Sequence, residues 1–179
     1  MSKKILLLAG PTACGKSKLA ISLAKKINGE IINADSMQVY KEFSILSSRP
    51  RLNEMKKIKH HLYGFVSVKK YFSAGDWLKE VKKKVSLCIK NNKIPIIVGG
   101  TGLYFNTITK GISKIPDIDN KTRKKVRNLF QKLGYKRFYK KLLTIDPKVK
   151  NKIMATDSQR CQRAYEVKIK TKKSLFDWI

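Results

Sequence analysis

The stretch KILLLAGPTACGKS, residues 4–17, joins a short apolar run to a glycine-rich loop that matches the pattern G-x-x-x-x-G-K-[ST] in full. Glycines let successive backbone N–H groups turn toward phosphate oxygens, and the start of a helix adds partial positive charge. The lysine neutralises phosphate charge, and the hydroxyl that follows it can ligate Mg²⁺. The strand–loop–helix context therefore predicts a phosphate site rather than an accidental glycine turn. Its residues are Gly10, Pro11, Thr12, Ala13, Cys14, Gly15, Lys16 and Ser17.

The first two thirds of the chain alternate between strand and helix patterns. Short, apolar, β-branched segments predict three buried parallel strands, at Lys4–Ala9, Glu30–Ala34 and Ile94–Val98. A helix follows the phosphate loop, with Gly29 expected as its C-terminal stop. A second helix is expected to begin at Ser73, because Ser73-Ala-Gly-Asp76 reads as a capping box. The alternation predicts an α/β fold, with a P-loop NTPase-like parallel sheet and flanking helices.

After Ile115 the strand patterns stop and basic helical patterns take over. They cover residues 119–133, 135–144, 147–155 and 157–172, with Gly134 and Asp146-Pro147 as breaks. We therefore divide the chain into an α/β catalytic core at 1–114 and an inserted, incomplete helical subdomain at 115–179. Ser174-Leu-Phe-Asp177 forms a further capping box close to the last residue, which predicts a chain truncated at its C-terminus.

The composition indicates which partners and which cellular compartment to expect. The formal net charge of +29 favours a polyanionic partner, although a lysine excess of 34 over 7 arginines also fits a genome-wide lysine bias. No apolar stretch reaches the length that spans a membrane, so no membrane partner is expected. Cys14, Cys88 and Cys161 are an odd number without metal-ligand spacing, which favours reduced thiols in a cytoplasmic protein.

Two polar residues follow predicted strands on the side where open α/β sheets bind their ligands. Asp35 follows the second strand and is placed to accept a proton or to hold a metal through water. Thr101 follows Gly99-Gly100 after the third strand and is placed to hydrogen-bond a leaving-group oxygen. The alternatives are structural: Asp35 and Thr101 are also residue types that cap the start of a helix.

A polar face is predicted on the last helix. Gln159, Gln162, Arg163 and Glu166 recur at helical spacing, so they share one side of it. Glutamine and arginine suit nucleic-acid base edges and phosphates. An ordinary solvated helix surface is the alternative.

Six segments occur in order along the chain: GPTACGKS, NADSMQVYK, KHHLYGF, YFSAGDW, VGGTGLYF and DSQRCQRAYEV. Together they resemble the tRNA dimethylallyltransferase, or isopentenyltransferase, family over nearly the whole sequence. Family members are much longer, so the chain resembles their N-terminal portion. Two stretches depart from the family pattern: Cys14 stands where serine is usual, and Ile45–Pro50 lacks the usual glycine and threonine.

The resemblance implies transfer of a dimethylallyl group from dimethylallyl diphosphate to the exocyclic amine of the adenosine 3′ to the tRNA anticodon. It implies that Asp35 is the general base, that Thr101 contacts the reacting centre, and that Lys16 and the nucleotide-binding P-loop, an ATP-binding type of motif, hold the diphosphate with Mg²⁺ on Ser17. We further expect a cytoplasmic monomer that binds the tRNA anticodon stem-loop. The tRNA-binding residues would be Asp35, Ser36, Met37, Gln38, Thr101, Arg123, Gln159, Arg160, Cys161, Gln162 and Arg163.

Three other functions remain open at this point. A small P-loop metabolite kinase would use the same loop on ATP and could recruit Arg123, Arg127 and Arg137 as lid residues. An inactive RNA-binding fragment would keep the fold and bind tRNA without releasing diphosphate. A prenyltransferase that acts on free adenine nucleotides would share the motifs and differ in its acceptor.

Overall fold

A computed structural model of the protein describes residues 4–179. The chain forms two compact units, Met1–Ile112 and Ser113–Ile179, which we call the first and second unit. None of the helices within residues 4–179 combines the length and the apolar character needed to cross a bilayer.

A four-stranded parallel sheet organises the first unit. Its strands are β1 (Leu6–Ala9), β2 (Gly29–Asn33), β3 (His60–His61) and β4 (Ile94–Gly99), and they lie in the order β1-β4-β2-β3. The three predicted strands are confirmed as β1, β2 and β4, with ends that differ by one or two residues. The sequence did not predict β3, because two residues carry no periodicity, and pairing with β2 alone defines them as a strand.

Helices cover both faces of the sheet. The first unit contains α1 (Lys16–Lys26), the short α2 (Leu52–Met55), α3 (Ala74–Lys90) and α4 (Gly102–Thr109), of which α1, α3 and α4 pack on the sheet. Ala20 and Ala24 of α1 pack against Ile31, Ile96 and Val98 on one face. On the other face the core includes Ile32, Ile97, Trp77, Val81 and Tyr104, which bring α3 and α4 onto β2 and β4. The central strands are therefore buried on both sides, as their continuous apolar sequences predicted.

The helix ends follow local sequence signals in one case and not in another. At Ser73 the predicted capping box is confirmed: the Ser73 hydroxyl accepts the Asp76 N–H, and the Asp76 carboxylate accepts the Ser73 N–H. The prediction that Gly29 stops α1 is wrong. That helix ends at Lys26, Asn28 takes the left-handed conformation, and Gly29 is the first residue of β2. A Cβ on Gly29 would lie 2.8 Å from Ile96 Cδ1, so the glycine serves strand packing instead.

The second unit is helical, as predicted. It contains α5 (Asn120–Ile145) and α6 (Ser158–Thr171), with 3₁₀ turns at Pro147–Val149 and Leu175–Asp177. Gly134 interrupts α5 with φ 68° and ψ 168°, which confirms the predicted break. The core joins Val126, Phe138 and Leu142 of α5 to residues such as Ala164 and Val167 of α6.

The predicted helix at residues 147–155 is wrong. Only Pro147–Val149 form a 3₁₀ turn, after which Lys150 is extended and Asn151 takes a positive φ of 64°. Ile153 is buried in the core of the second unit, so tertiary packing of an irregular segment replaces the helix. The capping box at Ser174 and Asp177 forms as predicted, although the element that it begins is a 3₁₀ turn.

A substitution at Gly99 tests whether β4 must lie close to the segment that follows β2. A Cβ at Gly99 would lie 2.1 Å from the Ala34 carbonyl oxygen, whereas one at Gly102 would meet nothing within 4 Å. Because the obstacle is backbone, we expect Gly99→Ala to lower the free energy of unfolding by about 2–3 kcal/mol. Gly102→Ala should change it little. Urea denaturation of both variants measures the difference, and equal stabilities would contradict this account.

Candidate functional site

The phosphate loop lies between the end of β1 and the start of α1. The Gly10 N–H donates to the Gly99 carbonyl over 3.3 Å, which ties the loop to the end of the neighbouring strand β4. Ala13 and Gly15 take positive φ values of 66° and 84°. Backbone of this kind turns N–H groups toward one concave side, and the N-terminus of α1 adds its partial positive charge there. The loop therefore has the backbone conformation of an anion cradle.

Lys16 lies at the first position of α1 with its ammonium over the loop. Its Nζ donates to the Pro11 carbonyl and lies 3.6 Å from Cys14 Sγ. The side chains of Lys16 and Cys14 thus both belong to the cradle, and the ammonium supplies its mobile positive charge. Ser17, the next residue, lines the same cleft as Lys16.

Asp35 begins a tight turn directly after β2. Its Oδ1 accepts the N–H groups of Met37 at 2.8 Å and of Gln38 at 3.4 Å. Its own N–H donates to Asn33 Oδ1 over 2.9 Å. No helix begins at this turn, so the helix-capping alternative for Asp35 is wrong, although one carboxylate oxygen does hold the turn. The turn also brings Asp35 into the cleft that Lys16 and Ser17 line.

Thr101 occupies the residue before α4, but its side chain does not cap that helix. Its hydroxyl accepts the Ser36 N–H over 2.9 Å and donates to Ser36 Oγ over 3.3 Å. Thr101 is thus the N-cap residue of α4 by position, but its hydroxyl makes no capping hydrogen bond. The threonine instead fastens the Asp35 turn to the end of β4.

An open cleft of about 1180 Å³ runs beside these residues in the first unit. Predicted site residues Thr12, Ala13, Gly15, Lys16, Ser17, Asp35 and Gln38 line it. The structure thus brings the phosphate loop and the Asp35 turn to one surface, although they are far apart in sequence. Ligands of open α/β sheets bind at this end of the strands.

One wall of the cleft was missed by the sequence interpretation. It overlaps the stretch Ile45–Pro50 that departs from the family pattern, and its lining residues are Ser44, Ile45, Ser47, Ser48, Arg49, Pro50 and Arg51. Gln38 Nε2 donates to the Ser47 carbonyl over 2.9 Å, so this predicted tRNA-contact residue also anchors the wall. One signal in the sequence could have indicated this wall: the chain has only seven arginines, and two of them flank Pro50.

Arg49 is held in place on that wall. Its Nη1 donates to the Tyr40 carbonyl over 3.3 Å, and a Cβ on Gly64 would lie 1.8 Å from the same atom. Gly64 therefore leaves the room that the guanidinium occupies. An arginine at this position supplies a planar set of charged donors to the cleft.

Tyr63, the residue before Gly64, remains uncharged at neutral pH. Burial raises the pKa of Tyr63, and the negative charge of Asp35 raises that pKa further. Tyr63 also lines the cleft, so it offers a phenol O–H rather than a phenolate. The ionisable groups with formal charge along this cleft include Lys16, Lys18, Asp35 and the wall arginines.

The remaining predicted residues lie in the second unit. Gln159 and Arg160 are exposed at the start of α6, where Arg160 forms an ion pair with Asp157 at 3.4 Å. Arg163 is half-buried and lies 3.7 Å from the buried Glu166 carboxylate. The predicted common face is thus polar at its start and enters the core at Glu166.

Three further predicted contacts differ in how far their side chains are accessible. Cys161 is buried, and its thiol donates to the Met154 carbonyl over 3.4 Å, so its side chain serves the core. The Gln162 amide donates to the Ser158 carbonyl over 3.1 Å. Arg123 is half-buried one turn into α5, after the helix-capping Asp119.

Comparisons with known proteins converge on one family. Residues 38–179 match the family model described as IPP transferase. The chain is 56% identical over 176 residues to a tRNA dimethylallyltransferase from Pelagibacter ubique, covering 98% of this chain and 56% of that protein. It is 43% identical to the tRNA dimethylallyltransferase of Ehrlichia canis, covering 97% of this chain and 57% of that protein.

Solved structures agree with the sequence matches. A eukaryotic dimethylallyltransferase acting on tRNA superposes with a TM-score of 0.83 at 34% identity, covering 98% of this chain and 44% of that one. A tRNA isopentenylpyrophosphate transferase from Bacillus halodurans gives 0.62 at 33% identity, covering 97% and 57%. The chain therefore spans about half the length of the relatives it matches. These matches do not favour the kinase interpretation.

Thr101 tests the link between the Asp35 turn and β4. Thr101→Val removes the acceptor of the Ser36 N–H, and we expect a loss of about 1 kcal/mol in unfolding free energy. Hydrogen exchange at the Ser36 amide should accelerate as the turn loosens. Thr109→Val is the matched control, because the Thr109 hydroxyl bonds only within its own helix among the described contacts. Unchanged Ser36 exchange in Thr101→Val would contradict the assignment.

Proposed function

Since this chain belongs to the IPP transferase family, we propose that it provides the catalytic core of a tRNA dimethylallyltransferase. The reaction moves a dimethylallyl group from dimethylallyl diphosphate to the exocyclic amine of the adenosine 3′ to the anticodon, and it releases diphosphate. The observation that supports this proposal is the shared cleft, which Lys16, Ser17 and Asp35 all line. A phosphate cradle and a carboxylate base on one surface are what such a transfer requires.

The leaving group is assigned to the phosphate loop. As the bond between the allylic carbon and oxygen breaks, negative charge grows on the departing diphosphate. Loop N–H groups, the start of α1 and the Lys16 ammonium would stabilise that charge. The side chain of Lys16 already lies over the loop, against the Pro11 carbonyl. A small reorientation would exchange that carbonyl for a phosphate oxygen.

The acceptor amine is assigned to Asp35. The amine nitrogen forms the new bond to the allylic carbon, and one of its protons passes to the Asp35 carboxylate. Because Oδ1 accepts the N–H groups of Met37 and Gln38, we assign the proton to Oδ2. Thr101 acts through Ser36, whose backbone it fastens beside the carboxylate.

A magnesium ion fits the donor set of this cleft. The Ser17 hydroxyl and the Asp35 carboxylate both line it, and Mg²⁺ prefers oxygen ligands of this kind together with phosphate. Mg²⁺ would add positive charge at the leaving diphosphate. We propose Ser17 as its protein ligand and Asp35 as a contact through water.

The tRNA is assigned to the basic surfaces of the chain. Residues 110–179 carry a net charge of +15, and the exposed Gln159 and Arg160 begin a helix there. The relatives from Pelagibacter ubique and Ehrlichia canis carry tRNA in their names. We propose the anticodon stem-loop as the partner, a monomer as the functional state and the cytoplasm as the site of the reaction. We assign the loop to diphosphate in preference to ATP.

Asp35 provides the sharpest test of the reaction. Asp35→Asn keeps an oxygen that accepts the Met37 N–H but cannot take a proton. We expect kcat for prenyl transfer to an anticodon stem-loop to fall about 10²–10⁴-fold. Asp35→Ala should be equally inactive, with an additional loss of stability. Near-normal turnover of Asp35→Asn would show that the residue only holds the turn.

Arg49 tests whether the cleft wall binds the diphosphate. We expect Arg49→Ala to weaken the binding of inorganic pyrophosphate by about tenfold, or about 1.4 kcal/mol. Lys69→Ala removes the same charge from an exposed position away from the cleft lining and should leave the dissociation constant unchanged. Calorimetric titration measures both. Equal losses in the two variants would indicate a general charge effect in place of a contact.

A further inference from the structure

Three side chains with metal-binding chemistry meet inside the first unit. Glu30 comes from β2, His61 from β3 and Cys88 from α3, and their relative exposures are 6%, 7% and 0%. His61 Nε2 lies 2.6 Å from Glu30 Oε2, Cys88 Sγ lies 3.4 Å from the same oxygen, and Cys88 Sγ lies 4.0 Å from His61 Nε2. An oxygen, a nitrogen and a sulfur donor thus surround one small volume.

The spacing of these donors suits a cation. A circle through three atoms at those separations has a radius of about 2.0 Å, and Zn²⁺ lies about 2.0–2.2 Å from oxygen and nitrogen and about 2.3 Å from sulfur. An ion slightly out of the plane of the donors would reach all three at normal bond lengths. We propose that Glu30, His61 and Cys88 form a binding site for a divalent transition metal ion of the Zn²⁺ class. If both Glu30 oxygens bind, the site is four-coordinate.

The charge balance supports the same conclusion. A divalent ion with one carboxylate, one thiolate and a neutral imidazole has no net charge, which suits the apolar core to which Cys88 belongs. Without the ion, protons hold the cluster together through the hydrogen bonds among the three groups. Metal binding would release the Cys88 thiol proton and any proton on His61 Nε2, and the metal bonds would replace those hydrogen bonds.

The mixed donor set selects the class of ion. Thiolate and imidazole favour Zn²⁺, Co²⁺ and related ions, whereas Mg²⁺ prefers oxygen ligands and water. The site is accordingly distinct in chemistry from the magnesium position at Ser17.

The position of the cluster indicates a structural role. Glu30 lies near the amino end of β2, whereas Asp35 follows the carboxyl end of that strand. His61 is the last residue of the two-residue strand β3 and directly precedes Leu62, whose carbonyl accepts the Asn33 amide over 3.1 Å. An ion at the cluster would fix β3 to β2 and α3. It would thereby stiffen the residues that lead to Tyr63 and Gly64 in the cleft.

Cobalt provides a direct test, because a cobalt–thiolate bond absorbs light in the near ultraviolet. The metal-stripped 179-residue protein is titrated with Co²⁺ and then Zn²⁺ in excess Mg²⁺, which keeps the Ser17 position occupied. We expect one equivalent of Co²⁺ to produce the thiolate band and one equivalent of Zn²⁺ to abolish it. Zn²⁺ should also raise the Tm. Absence of the band in the folded wild-type protein overturns the proposal without bearing on prenyl transfer.

Cysteine variants show which thiol gives rise to the cobalt–thiolate absorption band. Cys88→Ala should lose it and bind Zn²⁺ at least ~100-fold more weakly, because a direct ligand is removed. Cys161→Ala removes another buried thiol, and Cys14→Ser removes the exposed one, so both should keep the band. If Cys88→Ala unfolds, Cys88→Ser serves in its place. A band that persists in the Cys88 variant, or disappears in the Cys14 variant, places the metal elsewhere and overturns the proposal.

Discussion

The candidate site depends on the hydrogen bonds that the buried side-chain amide of Asn33 makes. Asn33 is fully buried at the end of β2, and its side chain donates to the carbonyls of Asp35 and Leu62 while accepting the Asp35 N–H. The backbone carbonyl of Asn33 accepts the indole N–H of Trp77 over 2.9 Å. A buried amide with unmet partners is costly, so loss of any one of these bonds would leave a buried polar group unpaired. One residue thereby couples the Asp35 turn, the segment after β3 and α3.

The cleft follows from that coupling. Once Asn33 sets the Asp35 turn, Thr101 fastens Ser36 to β4, and Gln38 reaches the carbonyl of Ser47. The wall that carries Arg49 is thus fixed through the turn. Trp77 stacks on Tyr104 at 4.1 Å with an angle of 11°, which packs α3 against α4 behind the turn. The phosphate loop joins this arrangement through the bond from Gly10 to Gly99.

Features encoded within a few residues were predictable, and features that depend on distant partners were not. The capping boxes at Ser73 and Ser174 and the break at Gly134 were predicted correctly, because their hydrogen bonds or backbone conformations are local. Strand β3 was missed because its definition depends on β2. The prediction of a helix at 147–155 was wrong, because Asn151 takes a positive φ and Ile153 packs into the core from an irregular segment.

The sequence by itself determined the glycine-rich loop motif, the α/β class and the family resemblance, because contiguous motifs carry all three. Tertiary structure decided which remote residues meet those motifs. It placed Arg49 in the cleft, turned the Thr101 hydroxyl toward Ser36 across 65 positions of sequence, and joined Glu30 to Cys88 across 58. The three cysteines had shown no ligand spacing along the chain. Packing of strands and helices brings such donors together, and no local pattern records the distances that result.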